Sequence, residues 1–519
     1  MERFSRRQVL RHALFGGGTL AAATLVVACG GSPAASTGGA STPAPAAATP
    51  IPASQPSAAT PLPASQPATA TPAPASQASS ASSSAPIPGA ATPGSADEPG
   101  APPKDIVAKP PTSTQPVTLR FHMRTGGEKS EPAIYAYRPQ EWMDQTGIKI
   151  QLEPIPGDSN YFPKLEALAA GGTIGDLTWT SDVASQHSHL VHFNVLQPVD
   201  SYLQTYKLTK DAWFQSITDT LTYDGKMYGM PKTGHPGDAY IWINLDLFKK
   251  AGIPEPPEYG VTFDQIRTWA NTLSQGSKDS RDVYGFYTGV VGLQPITNGI
   301  RQFGGDVVGP DGLTSLLDKQ EFADWLNWEY QLIVQDKVHP LSQAIPNGDL
   351  AGLFAAGKVA MVHNQRSFQF AARNAIKDKF QFTSIQFPRG PKAKGWGTSI
   401  DTHAGTAASK FKDEAFTLTA AISDKRFAFL VGKFQGYLTG RKDNLDDLGP
   451  YSSDHFIQLQ QKCTEQNDPF WRAKNLRATE VETALNNGFD EVWLGKSQPD
   501  KDYITGLKKT IDDILAKPL

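Results

Sequence analysis

Aromatic rings and planar polar side chains stand in this chain where strand ends and glycine-flanked turns would present them to a ligand. Arg124 follows the alternating run Val117–Met123, and Trp179 and Asp182 bound the tetrad that closes the run DLTWT. If both runs are parallel strands, a ligand sits outside their carboxyl ends, which brings Arg124, Trp179 and Asp182 together. Tyr240 and Trp242 lie in Ala239–Asn244, an apolar and aromatic strand. Trp396 stands between Gly395 and Gly397, which cannot cover its indole, so it is expected to open on a cleft. Aromatic faces pack on the apolar faces of polyhydroxylated rings, and planar polar groups bond their hydroxyls. That is the chemistry of capture.

Motifs for bond-making do not occur. The sequence holds no Gly-x-Ser-x-Gly elbow, no His-Glu-x-x-His helix and no Cys/His nucleophile motif. Gly357-Lys358 lacks the remainder of a phosphate loop. On a helix His187, His189 and His192 would project at about 0°, 200° and 140°, so they share no face and no metal is expected. A net charge of −3 argues against nucleic acid as the partner. With 51 Asp and Glu, composition leaves open a secreted carbohydrate-active enzyme built on two carboxylates.

The N-terminus reads as an address. Ser5-Arg6-Arg7-Gln8-Val9-Leu10 resembles a twin-arginine export motif, and Leu14–Ala28 is an apolar stretch too short to span a membrane. Val26-Val27-Ala28-Cys29-Gly30 looks like a lipobox, with Cys29 the lipidated residue of a signal peptide over 1–29. Cys463 is then left as an inert thiol. Residues 30–116 are nearly all Ala, Ser, Pro, Thr, Gly and Gln, a composition that builds no core and predicts a disordered tether ending at Pro116.

Beyond Pro116, strands alternate with helices. Val117–Met123, Ile148–Leu152 and Asp176–Thr180 read as strands, with helices near Ile134–Gln145 and over Tyr161–Ala170, which predicts βαβ units and a parallel sheet. Asp224-Gly225 closes a short hairpin, Leu247–Ala251 is a helical turn, and Phe263–Leu273 is an amphipathic helix.

The run LTYDGKMYGMPKTGHPGDAYIWINLDLFKKAGIPEPPEYGVTF over 221–263 closely resembles the extracellular solute-binding protein family 1, the sugar-type receptors of ABC importers. TGIKI, KLEALAAGG, DLTW and VLQPVD before it, and LFAAGKVAMV over 353–362 after it, fit the same pattern. The resemblance covers about 117–519 and implies an α/β, periplasmic-binding-protein-like fold of two lobes joined by a multi-crossing hinge, with the ligand cleft between them. Its expected segments are 117–246 with 363–425, and 247–362 with 426–519. It further implies ligand contacts at Gln294 near a helix start, and at Asn364 and Arg366 where the strand after Gly357-Lys358 emerges. The implied protein is a monomer without cofactor, lipid-anchored on the outer face of the cytoplasmic membrane, passing its solute to ABC permease and ATPase subunits. A surface sensor or scaffold using the same cleft is the alternative of another class.

Overall fold

Alternation of apolar residues makes β1 (Thr118–Thr125), β2 (Lys149–Pro156) and β3 (Leu177–Ser181), joined through α1 (Glu131–Thr146) and α2 (Tyr161–Ala170). The computed structural model describes residues 101–125, 131–156, 161–182, 186–469 and 475–518. The expectations for the signal peptide, Cys29 and the tether as far as residue 100 lie outside them. The Asp224-Gly225 pair, both at positive φ, turns β4 (Thr222–Tyr223) into β5 (Lys226–Met227) as predicted. There follow β6 (Met230–Pro236), β7 (Tyr240–Asn244), β8 (Gln275–Ser277), β9 (Ser280–Tyr287), β10 (Val359–Asn364), β11 (Phe382–Gln386), β12 (Trp396–Gly405) and β13 (Asn467–Asp468). The longer helices between and after them are α3 (Phe263–Leu273), α4 (Leu293–Gln302), α5 (Gln320–Tyr330), α6 (Phe368–Ile376), α7 (Lys412–Ala421), α8 (Lys425–Gln435), α9 (His455–Thr464), α10 (Ala478–Trp493) and α11 (Lys501–Leu515).

Two sheets result. The first runs β13-β12-β3-β1-β2, with β6 also bonded to β12, and the second runs β11-β7-β10-β9-β8. Both are mixed. β1 is parallel to β2 and β3, whereas β12 is antiparallel to β3 and β6; β7 is antiparallel to β10 and β11, while β10 is parallel to β9. The βαβ units predicted over β1, β2 and β3 form with parallel strands, and antiparallel β12 and β6 extend their sheet. β6 and β12 enter the first sheet beside the points where the chain passes to or from the second, with no crossover helix to reverse their direction.

Strand pairing also departs from the expected segments. Tyr240–Asn244 and Phe382–Gln386, expected in the first lobe, are strands of the second sheet. Phe427, Phe429, Leu430 and Val431 of α8, expected in the second lobe, pack with Leu119 and Phe121 of β1. The chain thus passes between the sheets at 237–239 and 387–395, and again between α8 and α9, whose Leu459 and Cys463 join the core of β7 and β10. The local pattern fixes which face of a strand is buried, but its sheet depends on a partner more than 100 residues away.

The body also begins before Pro116. Pro102, Ile106 and Ala108 are buried. Arg138 Nη1 donates to the Lys104 carbonyl at 2.5 Å and Nη2 to that of Asp105 at 3.1 Å, while Arg426 Nη1 reaches the Pro102 carbonyl at 3.2 Å. The backbone N–H of Ile106 donates to Gln145 Oε1 at 3.2 Å. Both arginines are buried and neutralised, by Asp424 and Glu141 at Arg138 and by Glu141 at Arg426. A strap of proline-rich chain is held here by its carbonyls, a use of backbone that composition does not record.

Candidate binding site

The first sheet presents Arg124 and Trp179 as a pair: the guanidinium carbon lies 4.9 Å over the indole. β1 and β3 are parallel neighbours, so their carboxyl ends do converge as the sequence argument required. The indole is not open, however. Tyr161 meets it edge-on at 5.2 Å and Phe162 at 5.7 Å, and it is buried. Asp182 is buried too, accepting from Ile400 N at 2.8 Å and Ser399 Oγ at 3.4 Å, which ties the end of β3 to β12. Beside it Thr180 Oγ1 lies 2.7 Å from His187 Nδ1, and burial pushes the His187 pKa down to about 3. His189 instead reaches the Leu476 carbonyl at 3.0 Å. Among the described residues no group of three or more His, Cys, Asp or Glu is placed to hold a metal.

On the second sheet Tyr240 and Trp242 share one face of β7 by their spacing of two. Both are fully buried. Trp242 is enclosed by Phe456 at 5.5 Å, Phe368 at 6.0 Å and Phe382 at 6.4 Å. Asn364 stands opposite Tyr240 in the β10–β7 register, half-buried, with Oδ1 accepting from Gln365 N at 2.8 Å. Arg366, just beyond, is buried against Phe456 and Tyr437; its Nη2 donates to the Gly436 carbonyl at 2.8 Å, and burial lowers its pKa to about 10. The sequence therefore brought Tyr240, Asn364 and Arg366 to one edge of one sheet, where the ends of β10 and β11 meet the start of β7.

Trp396 is fully buried, against the expectation drawn from its glycine neighbours. Non-local groups cover it. Arg389 lies 5.4 Å over the ring, and β13 pairs alongside, with Trp396 N donating to the Gln466 carbonyl at 3.0 Å. The flanking glycine serves that approach, since a Cβ on Gly395 would come within 2.6 Å of the Gln466 carbonyl. Though Trp396 opens β12 of the first sheet, its ring belongs to the core of the second.

Sequence reasoning placed Gln294 near the start of α4 but missed Asn298 and Arg301, through which that helix clamps the joint. Gln294, Asn298 and Arg301 follow one another at helical spacing on α4, and all are buried. Asn298 Oδ1 accepts from Gly397 N at 2.7 Å. Arg301 spreads its guanidinium over the Gly395 carbonyl at 2.7 Å, Asp306 at 2.6 Å and Asp468 at 2.7 Å. Gly237, on the other crossing, comes so near that a Cβ there would lie 2.8 Å from Asn298 Nδ2 and run into the Gln294 amide. Polar residues at i, i+4 and i+7 were the available signal; polar faces are usually solvated, so the pattern reads as surface without the fold. His363 at the end of β10 completes the joint: Nδ1 accepts from Gly289 N at 3.3 Å, so the proton is on Nε2, which donates to the Asp238 carbonyl at 2.7 Å. Stacked at 4.0 Å on Phe387, it is kept neutral, its pKa lowered to about 4 by burial.

These are rings, amides and guanidinium groups gathered about a three-stranded joint, and the one described thiol, Cys463, is pushed up to about 12 by burial. A family model of bacterial extracellular solute-binding proteins matches residues 127–425. A protein of Brucella abortus named as a binding protein is 23% identical over 385 residues, covering 69% of this chain and 84% of its own. Among solved structures, an ABC substrate-binding protein from Listeria monocytogenes in complex with cycloalternan superposes with a TM-score of 0.65 at 20% identity, over 77% of this chain and 99% of that one. An ABC transporter solute-binding protein of Thermotoga lettingae bound with α-D-tagatose gives 0.63 at 18%, over 77% and 100%. The maltotriose-binding protein of Thermus thermophilus gives 0.60 at 18%, over 76% and 99%. The structures share the fold, mixed α/β with two mixed sheets, and the family model spans more than half of the sequence. The chain belongs to the bacterial extracellular solute-binding protein family, whose members bind solutes and are not enzymes.

Proposed function

We propose that this protein is the substrate-binding component of an ABC import system, taking a carbohydrate or related polar solute between its lobes by hinge closure. The observation that carries this reading is the joint itself. The chain passes between the two sheets at 237–239, at 387–395 and between α8 and α9, and β13 then pairs back with β12. Trp396 begins a strand of one sheet while its ring is buried in the core of the other. Such a joint lets two rigid lobes turn about a few residues without breaking either sheet. We assign the first lobe to 101–236 with 396–435 and the second to 240–386 with 455–518, of which only β13 pairs with the first sheet, at Trp396 and Gly397. The structural relatives named above hold cycloalternan, tagatose and maltotriose, which supports a sugar-type solute.

In this reading the protein acts as a monomer, exported by the twin-arginine route and held by lipid at Cys29 on the outer face of the cytoplasmic membrane. The tether gives it reach, and the closed form docks on a permease whose ATPase subunits drive transport. Arg124, Tyr240, Gln294, Asn364 and Arg366 remain the proposed contact set, whereas Trp179, Asp182, Trp242 and Trp396 are taken up by packing and pairing within the lobes. The test is thermal unfolding and calorimetry of the purified chain against neutral mono- and oligosaccharides and acidic sugars. One solute class is expected to raise the melting temperature saturably, adding about 2.7 kcal/mol at a hundredfold excess over Kd. Release of sugar products during the titration would point to an enzyme, and no response to any class would favour the sensor or scaffold.

A further inference from the structure

Among the described residues, the buried arginines are matched to acids with one exception. Arg138 pairs with Asp424 and Glu141, Arg426 with Glu141, and Arg301 with Asp306 and Asp468. Arg366 is 1% exposed and has no carboxylate in contact among the described residues. Its Nη2 donates to the Gly436 carbonyl, while Nε and Nη1 meet no acceptor among the described residues. The nearest acid in its field, Asp454, is committed elsewhere: it accepts from Phe456 N at 2.9 Å and Ile457 N at 3.2 Å, capping α9, and faces Arg373 at 3.9 Å. The other charged group acting on Arg366 is Arg373, which repels it. Tyr240, fully buried and close enough to act on the guanidinium, also has a hydroxyl without a partner.

Burying a guanidinium without an anion is costly, and a hydrophobic residue of the same size would serve packing better. The rings of Phe456 and Tyr437 lie 5.4 Å and 5.9 Å from the guanidinium carbon and supply no anion. Asn364, Gln365 and Ser367 around it are all outside the fully buried core or at its margin, so the boundary with solvent lies one residue away. Donors with no acceptor, at the edge of the sheet that faces the joint, form a site whose missing partner is negative. We propose that Arg366 and the Tyr240 hydroxyl seat an anionic group of the solute, so that the protein takes an acidic sugar-type solute carrying a carboxylate or phosphate in preference to its neutral counterpart. Charge-assisted bonds from arginine suit both oxyanions. The proposal rests on the receptor reading above and narrows it.

The test uses the full purified chain at matched ionic strength with three probes of one ring: D-glucose, D-glucuronate and D-glucose 6-phosphate. Glucuronate or the phosphate is expected to raise the melting temperature saturably and to bind at least tenfold more tightly than glucose; which of the two does so identifies the oxyanion. Arg366→Met is expected to abolish that preference and to raise the melting temperature of the ligand-free chain, because it removes the unpaired charge. Tyr240→Phe, which deletes one oxygen and keeps the ring, is expected to weaken the anionic probe alone. An equal or stronger response to glucose would overturn the anion seat and leave the receptor reading standing. A ligand-free Arg366→Met chain that melts lower and still prefers the anion would show a structural arginine, overturning the seat. Silence toward all three probes counts against both readings.

Discussion

Glu329 on α5 shows how strongly a single buried group can tie this fold to pH. Thr288 Oγ1 donates to its carboxylate at 2.6 Å, no ion pair forms at it among the described residues, and burial raises its pKa to about 8. A carboxyl whose folded pKa is raised contributes stability that is complete below its unfolded value and is lost as pH climbs through the folded one. The wild-type melting temperature should therefore fall between about pH 5 and pH 9, with roughly 1.4 kcal/mol lost for every tenfold by which folding weakens the acid. Glu329→Gln should flatten that fall, measured as the difference between the two proteins across a pH series. Parallel curves would mean that the carboxyl is ionised throughout. Trp242 offers a second test at this scale. Enclosed by three phenylalanine rings, it should cost about 3–5 kcal/mol when cut to alanine, read by urea unfolding. A cost below about 1 kcal/mol would place the ring at an open cleft wall instead.

Among the elements, the strap at 101–108 and the helix α4 make separate claims. Removing the strap leaves the buried guanidinium groups of Arg138 and Arg426 without the carbonyls of Pro102, Lys104 and Asp105. A chain starting at Val117, the boundary that composition suggests, should be less stable than one starting at Ala101 by about 1–3 kcal/mol for each charged donor left bare. Equal melting of the two would show the strap to be a passenger. At α4 the contact with Gly237 is so close that Gly237→Ala must push the Gln294 amide aside and crowd that of Asn298. Solute affinity should drop at least tenfold while the overall stability changes little, since Gly237 belongs to neither sheet. Unchanged affinity would mean that the joint absorbs a methyl group without moving.

For the whole molecule, three crossings between mixed sheets predict rigid lobes and a localised hinge. Saturation with the solute that raises the melting temperature should reduce the radius of gyration in solution scattering, and the same solute should shield the 237–239 and 387–395 crossings from hydrogen exchange. A constant radius would indicate that the closed form is already dominant without solute.

Local elements and the family were legible in the sequence because they depend on neighbours. Asp224-Gly225 could only be a turn, the run LFAAGKVAMV gave a helix over Leu350–Ala355 and then β10, and Thr262 with Gln265 caps α3 reciprocally. The ends of β1 and β3 also met as the strand argument required, bringing Arg124 over Trp179. What the tertiary structure alone decided was partnership. Periodicity records that Tyr240–Asn244 is buried, but the bonds to β10 and β11 that place it in the second sheet come from residues far along the chain. Trp396 looks bare beside two glycines and is covered by Arg389 and β13. A proline-rich stretch is held by its carbonyls as well as by Ile106, and an arginine becomes conspicuous only once the acid near it is seen to be engaged elsewhere. Burial and pairing are sums over contacts distant in sequence, and one residue's type and neighbours carry only the local part of that sum.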